Sequence, residues 1–241
     1  MKTLSLTGFL LFLIFSTSCI TAEDNKLSSK EKEDGWKLLF DGKNLSQWRN
    51  YGAETINSKW QIKDGIFFIA DSSGEAGDIV TKKQYEDFEM KIDWKVAEKG
   101  NSGVFLRCDN TGKKAHSNAL EIQMLDDENF RSPKGEKPGP KHLSGSVYDL
   151  LAAKPGAFNG HNTWNTTHII MKSQKVTVYM NGVLVADLDM NSEAYKKMFA
   201  ESKFARNKKT APKYAKNAKG MIGLQDHRSQ MWFKNVKIRE L

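Results

Sequence analysis

The sequence has little of what several common architectures require. Its two cysteines, Cys19 and Cys108, are too few for a framework of disulfide bonds. The apolar run Phe9–Phe15 is too short to span a bilayer comfortably, and stretches with helical periodicity are few. Motifs of nucleic-acid-binding proteins are missing as well. These absences argue against a disulfide scaffold, a permanent transmembrane helix, a mainly helical fold and a DNA or RNA partner.

What remains is the composition of an ordinary globular protein. The chain has 241 residues, of which 39% are apolar and 27% are charged. This length corresponds to one large domain or two small ones, and it is sufficient to bury a core without covalent cross-links. Cys108 alternates with Val104 and Leu106, which predicts a buried and inert thiol facing the same core.

The N-terminus has the pattern of an export signal. Lys2 and the apolar run Phe9–Phe15 are followed by small residues directly before Cys19, as in a bacterial lipoprotein box. Residues 1–18 are therefore predicted to be a lipoprotein signal peptide, with Cys19 acylated; an ordinary signal peptide is the alternative. Residues 19–34 are polar and predict a flexible tether. We expect an exported protein attached through Cys19 to the bacterial envelope, on its periplasmic or outer surface.

From residue 35 to residue 241 the pattern is that of one β-rich domain. Apolar and charged residues alternate strictly over Phe88–Val96, which predicts a half-buried strand. Asn181-Gly182 lies between two β-branched runs and predicts a hairpin. Many further short strands indicate an all-β sandwich of two sheets. One helix is expected over Ser192–Phe204, with Ser192 as its cap.

The positive charge is concentrated in one stretch near the C-terminus. The formal net charge is +8, and residues 196–219 carry nine basic residues but a single acidic one, Glu201. One interpretation is contact with an anionic glycan, lipid or nucleic acid. A solvated loop is the simpler interpretation, and we favour it. Because the protein is expected to be exported, nucleic acid is excluded as a partner.

Polar side chains share one face of three predicted strands. Alternation places them opposite an apolar face, and they are not the lysine, glutamate and threonine of an ordinary solvent face. They are Arg107, Glu121, Gln123, Gln225 and His227. This set predicts a concave polar cleft for a sugar, although Glu121 and Arg107 can also be read as a structural ion pair and His227 as a turn cap.

Other residues near these strands have two interpretations each. Glu121, Gln123 and Asp126 have the spacing of the catalytic strand of retaining β-glucanases, but Gln123 replaces the middle carboxylate. The two-carboxylate mechanism is therefore poorly supported. Trp164 is a candidate for stacking on a sugar ring or for the core, and Asp226 is a candidate for the cleft or for a turn.

An ordered series of motifs covers residues 35–241. The motifs are GWKLLFDGKNLSQW (Gly35–Trp48), WQIKDGIF (Trp60–Phe67), FEMKIDWKV (Phe88–Val96), NSGVFLR (Asn101–Arg107), LEIQMLDDE (Leu120–Glu128), GSVYDL (Gly145–Leu150), TWN (Thr163–Asn165), NGVLVAD (Asn181–Asp187), SKF (Ser202–Phe204) and the C-terminal run Gly220–Leu241. Together they resemble the 3-keto-disaccharide hydrolase domain, which is common in exported Bacteroidetes proteins. Arg228 departs from the pattern, because the family usually has glycine after Gln-Asp-His.

The resemblance implies a concanavalin A-like jelly-roll sandwich and cleavage of glycosides that are oxidised at C3. The ketone acidifies the C2 proton, so one base can start an elimination that expels the aglycone, with or without rehydration. We expect His227 or Glu121 as the base and Arg107 beside the enolate. The expected substrate-binding residues are Gln123, Asn101, His142, Tyr148, Asp226 and Trp164.

Two alternatives to this mechanism remain open at the level of sequence. A divalent cation held by Glu121 and His227 would grip the ketone and its neighbouring hydroxyl. A lectin-like module would bind a glycan in the same cleft without cleaving it.

Overall fold

The computed structural model describes residues 23–70, 73–112, 114–209 and 211–241. Residues 1–22, which hold the predicted signal peptide and Cys19, lie outside the described residues. No helix in the described part of the chain is long and apolar enough to cross a membrane.

Two antiparallel β-sheets pack face to face, and the predicted all-β sandwich is confirmed. The larger sheet has the strand order β11-β10-β9-β6-β13-β4-β3, with β1 paired to β13, and the smaller has the order β2-β5-β12-β7-β8. The strands are β1 (Lys37–Leu38), β2 (Trp48–Asn50), β3 (Trp60–Lys63), β4 (Ile66–Ile69), β5 (Ile79–Thr81), β6 (Phe88–Val96), β7 (Asn101–Cys108), β8 (Leu120–Leu125), β9 (Asn165–Lys172), β10 (Lys175–Met180), β11 (Val183–Asp189), β12 (Met221–Leu224) and β13 (Met231–Glu240).

The core lies between the two sheets. Met90, Ile92 and Trp94 of β6 point into it, as their alternation predicts. Val104 of β7 and Ile122 of β8 meet them from the smaller sheet. Burial of such large apolar side chains, at roughly 1.5–3 kcal/mol each, is the main force holding the sheets together.

The two sheets differ in how their outer faces meet water. Strand β6 alternates between buried and half-buried residues, whereas β7 and β8 are buried along their whole length. Loops therefore cover the outer face of the smaller sheet. A sheet face that is both polar and covered is a place where a cavity can form.

A bulge near the end of β7 changes which way its side chains point. Met221 of β12 pairs with Cys108 and Gly223 pairs with Phe105, so β7 has one extra residue in this interval. Arg107 lies within this bulge, and its backbone is in the left-handed conformation, with φ 55°. After the bulge, Cys108 packs with Phe105 on the outer face, and the prediction that it joins Val104 was wrong.

The segment predicted as a flexible tether is ordered over residues 23–34. It contains a short helix, α1 (Ser29–Glu33), which begins with a capping box at Ser28. Asn25 is buried, and its side-chain amide donates to the carbonyl oxygen of Gly65 at 2.8 Å. The polarity of residues 23–34 indicated a tether. The polar groups of this segment instead bond to the outer side of the larger sheet, where Asp24 pairs with Lys234 at 2.7 Å.

The other local predictions can be checked against the helices and the hairpin. Asn181 and Gly182 both have positive φ and connect β10 to β11, as their hairpin signal predicts. The predicted helix is α2 (Glu193–Glu201), and Ser192 Oγ accepts the Tyr195 N–H at 3.1 Å. It ends earlier than expected, and a separate turn, α3 (Lys203–Arg206), follows it.

Candidate active site

A polar cavity of about 420 Å³ lies on the outer face of the smaller sheet. Its walls come from eight short segments that are far apart in the sequence. Predicted residues in its lining are Asn101, Glu121, Gln123, Tyr148, Gln225, Asp226 and His227. Residues that sequence reasoning did not single out are Tyr51, Glu75, Gly77, Asp78, Lys114, His116, Lys203 and Phe204.

Glu121 lies at the floor of this cavity. It is on β8 opposite Phe105 of β7, and only 7% of its surface is exposed. A Cβ atom added to Gly103 would lie 2.6 Å from Glu121 Oε1, so the carboxyl group needs the space that this glycine leaves. Burial raises the pKa of Glu121 to about 8, because the charged form loses its hydration.

Amide side chains surround the Glu121 carboxyl group. With its amide oriented to satisfy its neighbours, Gln123 donates to Ser102 O at 3.1 Å and to Glu121 Oε1 at 3.2 Å. The side chain of Gln225 lines the same cavity as Glu121. The Oε1 atom of Gln225 is buried and has no hydrogen-bond partner within the described ranges, so it can accept a bond from a ligand hydroxyl.

Lys203 brings a cation to the same cavity. Its backbone N–H donates to Asp149 Oδ2 at 2.6 Å, and its Nζ lies 4.1 Å from the centre of the Tyr148 ring. Burial lowers the pKa of Lys203, while the charges of Glu121 and Asp149 act in the opposite direction. The basic stretch was predicted as a solvated loop, but here Lys203 and Phe204 form a wall of the cavity.

The opposite wall is built around Asp78 and a short 3-10 turn, Ala115–Ser117. Asp78 accepts a hydrogen bond from the backbone N–H group of Asp226 at 3.0 Å. Burial raises the pKa of Asp78 to about 6. The turn presents His116, whose pKa is lowered by burial and by the nearby positive groups of Lys203, Lys114 and His227.

Two predicted residues lie at the mouth of the cavity with different surroundings. His227 is exposed there. Asp226 uses its carboxylate to hold the backbone, since it accepts N–H bonds from Gly77 at 2.8 Å and from Arg228 at 2.9 Å. Asp226 therefore shapes the wall as a turn residue.

Arg107 and Trp164 were predicted in the site and lie elsewhere. Because of the bulge, Arg107 turns away from the cavity and donates to Glu86 O at 2.7 Å, Ser173 O at 2.6 Å and Asp87 Oδ1 at 2.9 Å. Trp164 is on the outer side of the larger sheet, under the ammonium groups of Lys95 and Lys234.

His142 does not line the cavity but packs against Tyr148, which does. Its ring lies 4.8 Å from that of Tyr148, and its Nε2 bonds to Asp149 Oδ1 at 3.0 Å. Asp126, the third position of the glucanase-like spacing, is fully buried and accepts the Lys99 N–H at 2.7 Å. It therefore contributes no second carboxylate to the cavity.

The candidate cation site has two potential protein ligands, Glu121 and His227. Over the described ranges, no cluster of three or more histidine, cysteine, aspartate or glutamate side chains has the arrangement of a metal site. The remaining cysteine, Cys108, is buried, and burial raises the pKa of its thiol to about 12.

The sequence matches the 3-keto-alpha-glucoside-1,2-lyase-like domain over residues 35–239. The chain belongs to this family. The match includes every residue that lines the cavity, and it confirms the family expected from the sequence motifs.

One member of the family and two solved structures are also similar to this chain. A 3-keto-disaccharide hydrolase of Bacteroides thetaiotaomicron is 31% identical, and the alignment covers 94% of this chain and 86% of that protein. A protein of Parabacteroides distasonis ATCC 8503, provisionally named a glycosyl hydrolase, has 30% identity and a TM-score of 0.82 over 91% of this chain and all of its own. A second structure from that organism has 28% identity and a TM-score of 0.63, over 86% of this chain and 99% of its own.

Proposed function

We propose that the protein cleaves glycosides whose sugar carries a ketone at C3. The observation that carries the proposal is the state of the four carboxyl groups in the cavity. Glu75 pairs with Arg228 at 3.0 Å, and Asp78 and Asp226 hold backbone N–H groups. Glu121 alone is surrounded by amide side chains and a nearby cation, with its pKa raised to about 8. The site thus offers one proton-transferring carboxyl group.

One such group does not suffice for double displacement, which needs two free carboxyl groups about 5–5.5 Å apart. It does suit an elimination. A ketone at C3 makes the C2 proton acidic, and the glycosidic oxygen at C1 is then β to the carbonyl. Removal of the C2 proton gives an enolate that expels the aglycone, and water can add to the product to complete a net hydrolysis. The names of the family and of its Bacteroides member, a lyase and a hydrolase, agree with these two outcomes.

The cavity supplies groups for the charge that develops on the sugar. The ammonium group of Lys203 takes the place that the sequence analysis gave to Arg107, beside the enolate oxygen. Such preorganised charge is most effective in a site from which water is largely excluded. Asn101, Gln123 and Gln225 offer amide donors and acceptors to the sugar hydroxyls.

The test compares a 3-keto-glucoside with its unoxidised parent. We expect the purified protein to release the aglycone from the keto compound only, as measured by chromatography of the products. Release from both compounds would favour ordinary hydrolysis. Binding of either compound without turnover would support the lectin-like alternative. Repeating the assay after treatment with a chelator, and again after metal is restored, measures what a cation held by Glu121 and His227 contributes.

We also propose that the protein is exported and anchored to the bacterial envelope through an acylated Cys19. The proposal is supported by the sequence pattern before Cys19. Expression in a bacterium with a radiolabelled fatty acid should label the wild-type protein and not the Cys19→Ala variant. An unlabelled wild-type protein in the soluble fraction would point to an ordinary signal peptide.

A further inference from the structure

We propose that His116 removes the C2 proton of the sugar and that Glu121 gives its own proton to the departing glycosidic oxygen. This inference rests on the proposed function and deepens it, because it divides the two proton transfers of the elimination between two groups. The sequence analysis considered Glu121 and His227 as bases and did not consider His116.

His116 and Glu121 face the same cavity from different structural elements. The His116 ring lies 6.2 Å from the ring of Phe105, and Phe105 is the cross-strand neighbour of Glu121. The turn that carries His116 is anchored by the fully buried Ala115, which packs in the same cluster as Phe105. The imidazole and the carboxyl group therefore both neighbour Phe105, and both line the cavity that a ligand would occupy.

The surroundings of the two groups set opposite protonation states. His116 is exposed to the cavity, and loss of hydration together with the charges of Lys203, Lys114 and His227 lowers its pKa, so the neutral imidazole predominates at neutral pH. Glu121 is buried beside Lys203, Asp78 and Gln225, and with a pKa of about 8 it keeps its proton at that pH. Environments that push the pKa values of two groups in opposite directions are characteristic of acid–base pairs.

In the elimination, the atoms and charges balance as follows. His116 takes the C2 proton, and the electron pair of the C–H bond forms a double bond between C1 and C2. The bond between C1 and the glycosidic oxygen breaks, and the Glu121 proton goes to that oxygen. The products are a 2-hydroxy-3-keto-glycal, a free alcohol, a protonated His116 and an ionised Glu121.

Addition of water restores both groups. The ionised Glu121 takes a proton from the water whose oxygen bonds to C1, and the protonated His116 returns a proton to C2. One pair thus supports release of the glycal as well as net hydrolysis. The same two side chains return to their starting states without any further proton donor.

The two roles can be separated with a compound that has no leaving group. A 3-keto-1,5-anhydroglucitol has an acidic C2 proton but no aglycone at C1, so exchange of that proton in D₂O reports its removal without departure of an alcohol. We expect wild-type protein and the Glu121→Gln variant to exchange the C2 proton for deuterium, as measured by proton NMR. We expect the His116→Gln variant to slow the exchange by about 10³-fold.

Controls distinguish this result from a general loss of structure. His168→Gln changes a histidine on the outer side of the larger sheet and should exchange like wild type. Circular dichroism checks the fold of each variant, and His116→Asn provides a second substitution. Exchange that is lost in Glu121→Gln or in His227→Gln but retained in His116→Gln would overturn the proposal. A wild-type protein that neither exchanges nor cleaves would instead defeat the proposed function.

A second readout concerns Glu121 as the acid. With keto-glycosides of decreasing leaving-group acidity, Glu121→Gln should lose more activity as the leaving group becomes poorer, because only poor leaving groups need the proton. The activity of His116→Gln should depend on leaving-group acidity in the same way as that of wild type. A Glu121→Gln variant with an unchanged dependence would contradict the assignment.

Discussion

Two buried glutamates on opposite sides of the sandwich show how surroundings decide the role of a carboxyl group. Glu89, on the outer side of the larger sheet, bonds to His168 Nε2 at 2.6 Å and to Arg239 Nε at 2.6 Å. Glu121, on the outer side of the smaller sheet, has amide neighbours and a cation that contacts the ring of Tyr148. Both are 7% exposed, so burial alone does not distinguish them.

The difference lies in whether the charge is satisfied within the protein. The oxygens of Glu89 are occupied by the His168 ring and by the Arg239 guanidinium, so this group stabilises the fold and has no capacity left for a ligand. Glu121 retains its proton because ionisation would leave a poorly compensated charge in a buried place. The proposed function therefore assigns the chemistry to Glu121 and its neighbours, and each prediction below compares a change there with a matched change elsewhere.

The largest effect is expected from removing the acidic proton of Glu121. Glu121→Gln should lower kcat on a 3-keto-disaccharide by about 10³-fold, because a poor leaving group then departs without protonation. The matched Glu89→Gln variant should keep wild-type kcat and lose roughly 2 kcal/mol of unfolding free energy, as measured by urea denaturation. Equal loss of activity in the two variants would remove the contrast between the clusters.

The next prediction concerns stability at different pH values. A carboxyl group whose pKa is raised on folding binds more protons in the folded state than in the unfolded state, so stability falls as pH rises from about 4.5 to about 8. Glu121 should contribute a fall on the order of a few kcal/mol, which Glu121→Gln removes and Glu89→Gln retains. Urea denaturation at pH 5 and pH 8 measures this fall in the unfolding free energy. An equal fall in wild type and in Glu121→Gln would refute the raised pKa of Glu121.

Removing the charge of Lys203 should have a smaller effect on kcat and should also move the alkaline limb of the pH–rate profile. Lys203→Met keeps the apolar stem but removes the charge, so kcat should fall by about 10²-fold and the pKa of Glu121 should rise further. Lys91→Met is the control, because Lys91 contacts the ring of Trp36 on the larger sheet, away from the cavity. An alkaline limb of the pH–rate profile that stays in place would show that Lys203 does not act on Glu121.

The smallest effect is expected from crowding the carboxyl group. A methyl group at Gly103 would meet Glu121 Oε1, so Gly103→Ala should displace the carboxyl group and lower kcat by about 10-fold, with a smaller change in KM. Gly139→Ala, whose added atom has its nearest neighbour at 3.9 Å, should leave the kinetics unchanged. Wild-type kcat in Gly103→Ala would mean that the position of the carboxyl group tolerates this shift.

Alternation along strands predicted the floor of the cavity because the register there is regular. Strands β7 and β8 pair without interruption from Asn101 opposite Leu125 to Leu106 opposite Leu120. Glu121 and Gln123 therefore share a face, as a strict period of two requires. The same argument failed for Arg107, because one extra residue in β7 reverses the direction of each side chain beyond it.

The walls of the cavity were harder to predict because they depend on contacts between distant loops. Lys203 was hidden within a run of basic residues, and nothing in that run predicts that its side chain contacts Tyr148 at the cavity. His116 lies on a short turn that packs against the outer face of the smaller sheet through Ala115. Hydrophobic periodicity carries no information about such contacts.

The docking of residues 23–34 has a consequence for how the protein would meet its substrates. This segment bonds to the back of the larger sheet, whereas the cavity opens on the smaller sheet, on the other side of the sandwich. Cys19 is four residues before Glu23, a reach of at most about 14 Å. An acyl group at that cysteine would hold the molecule by its rear side, with the catalytic opening turned outward to diffusing sugars.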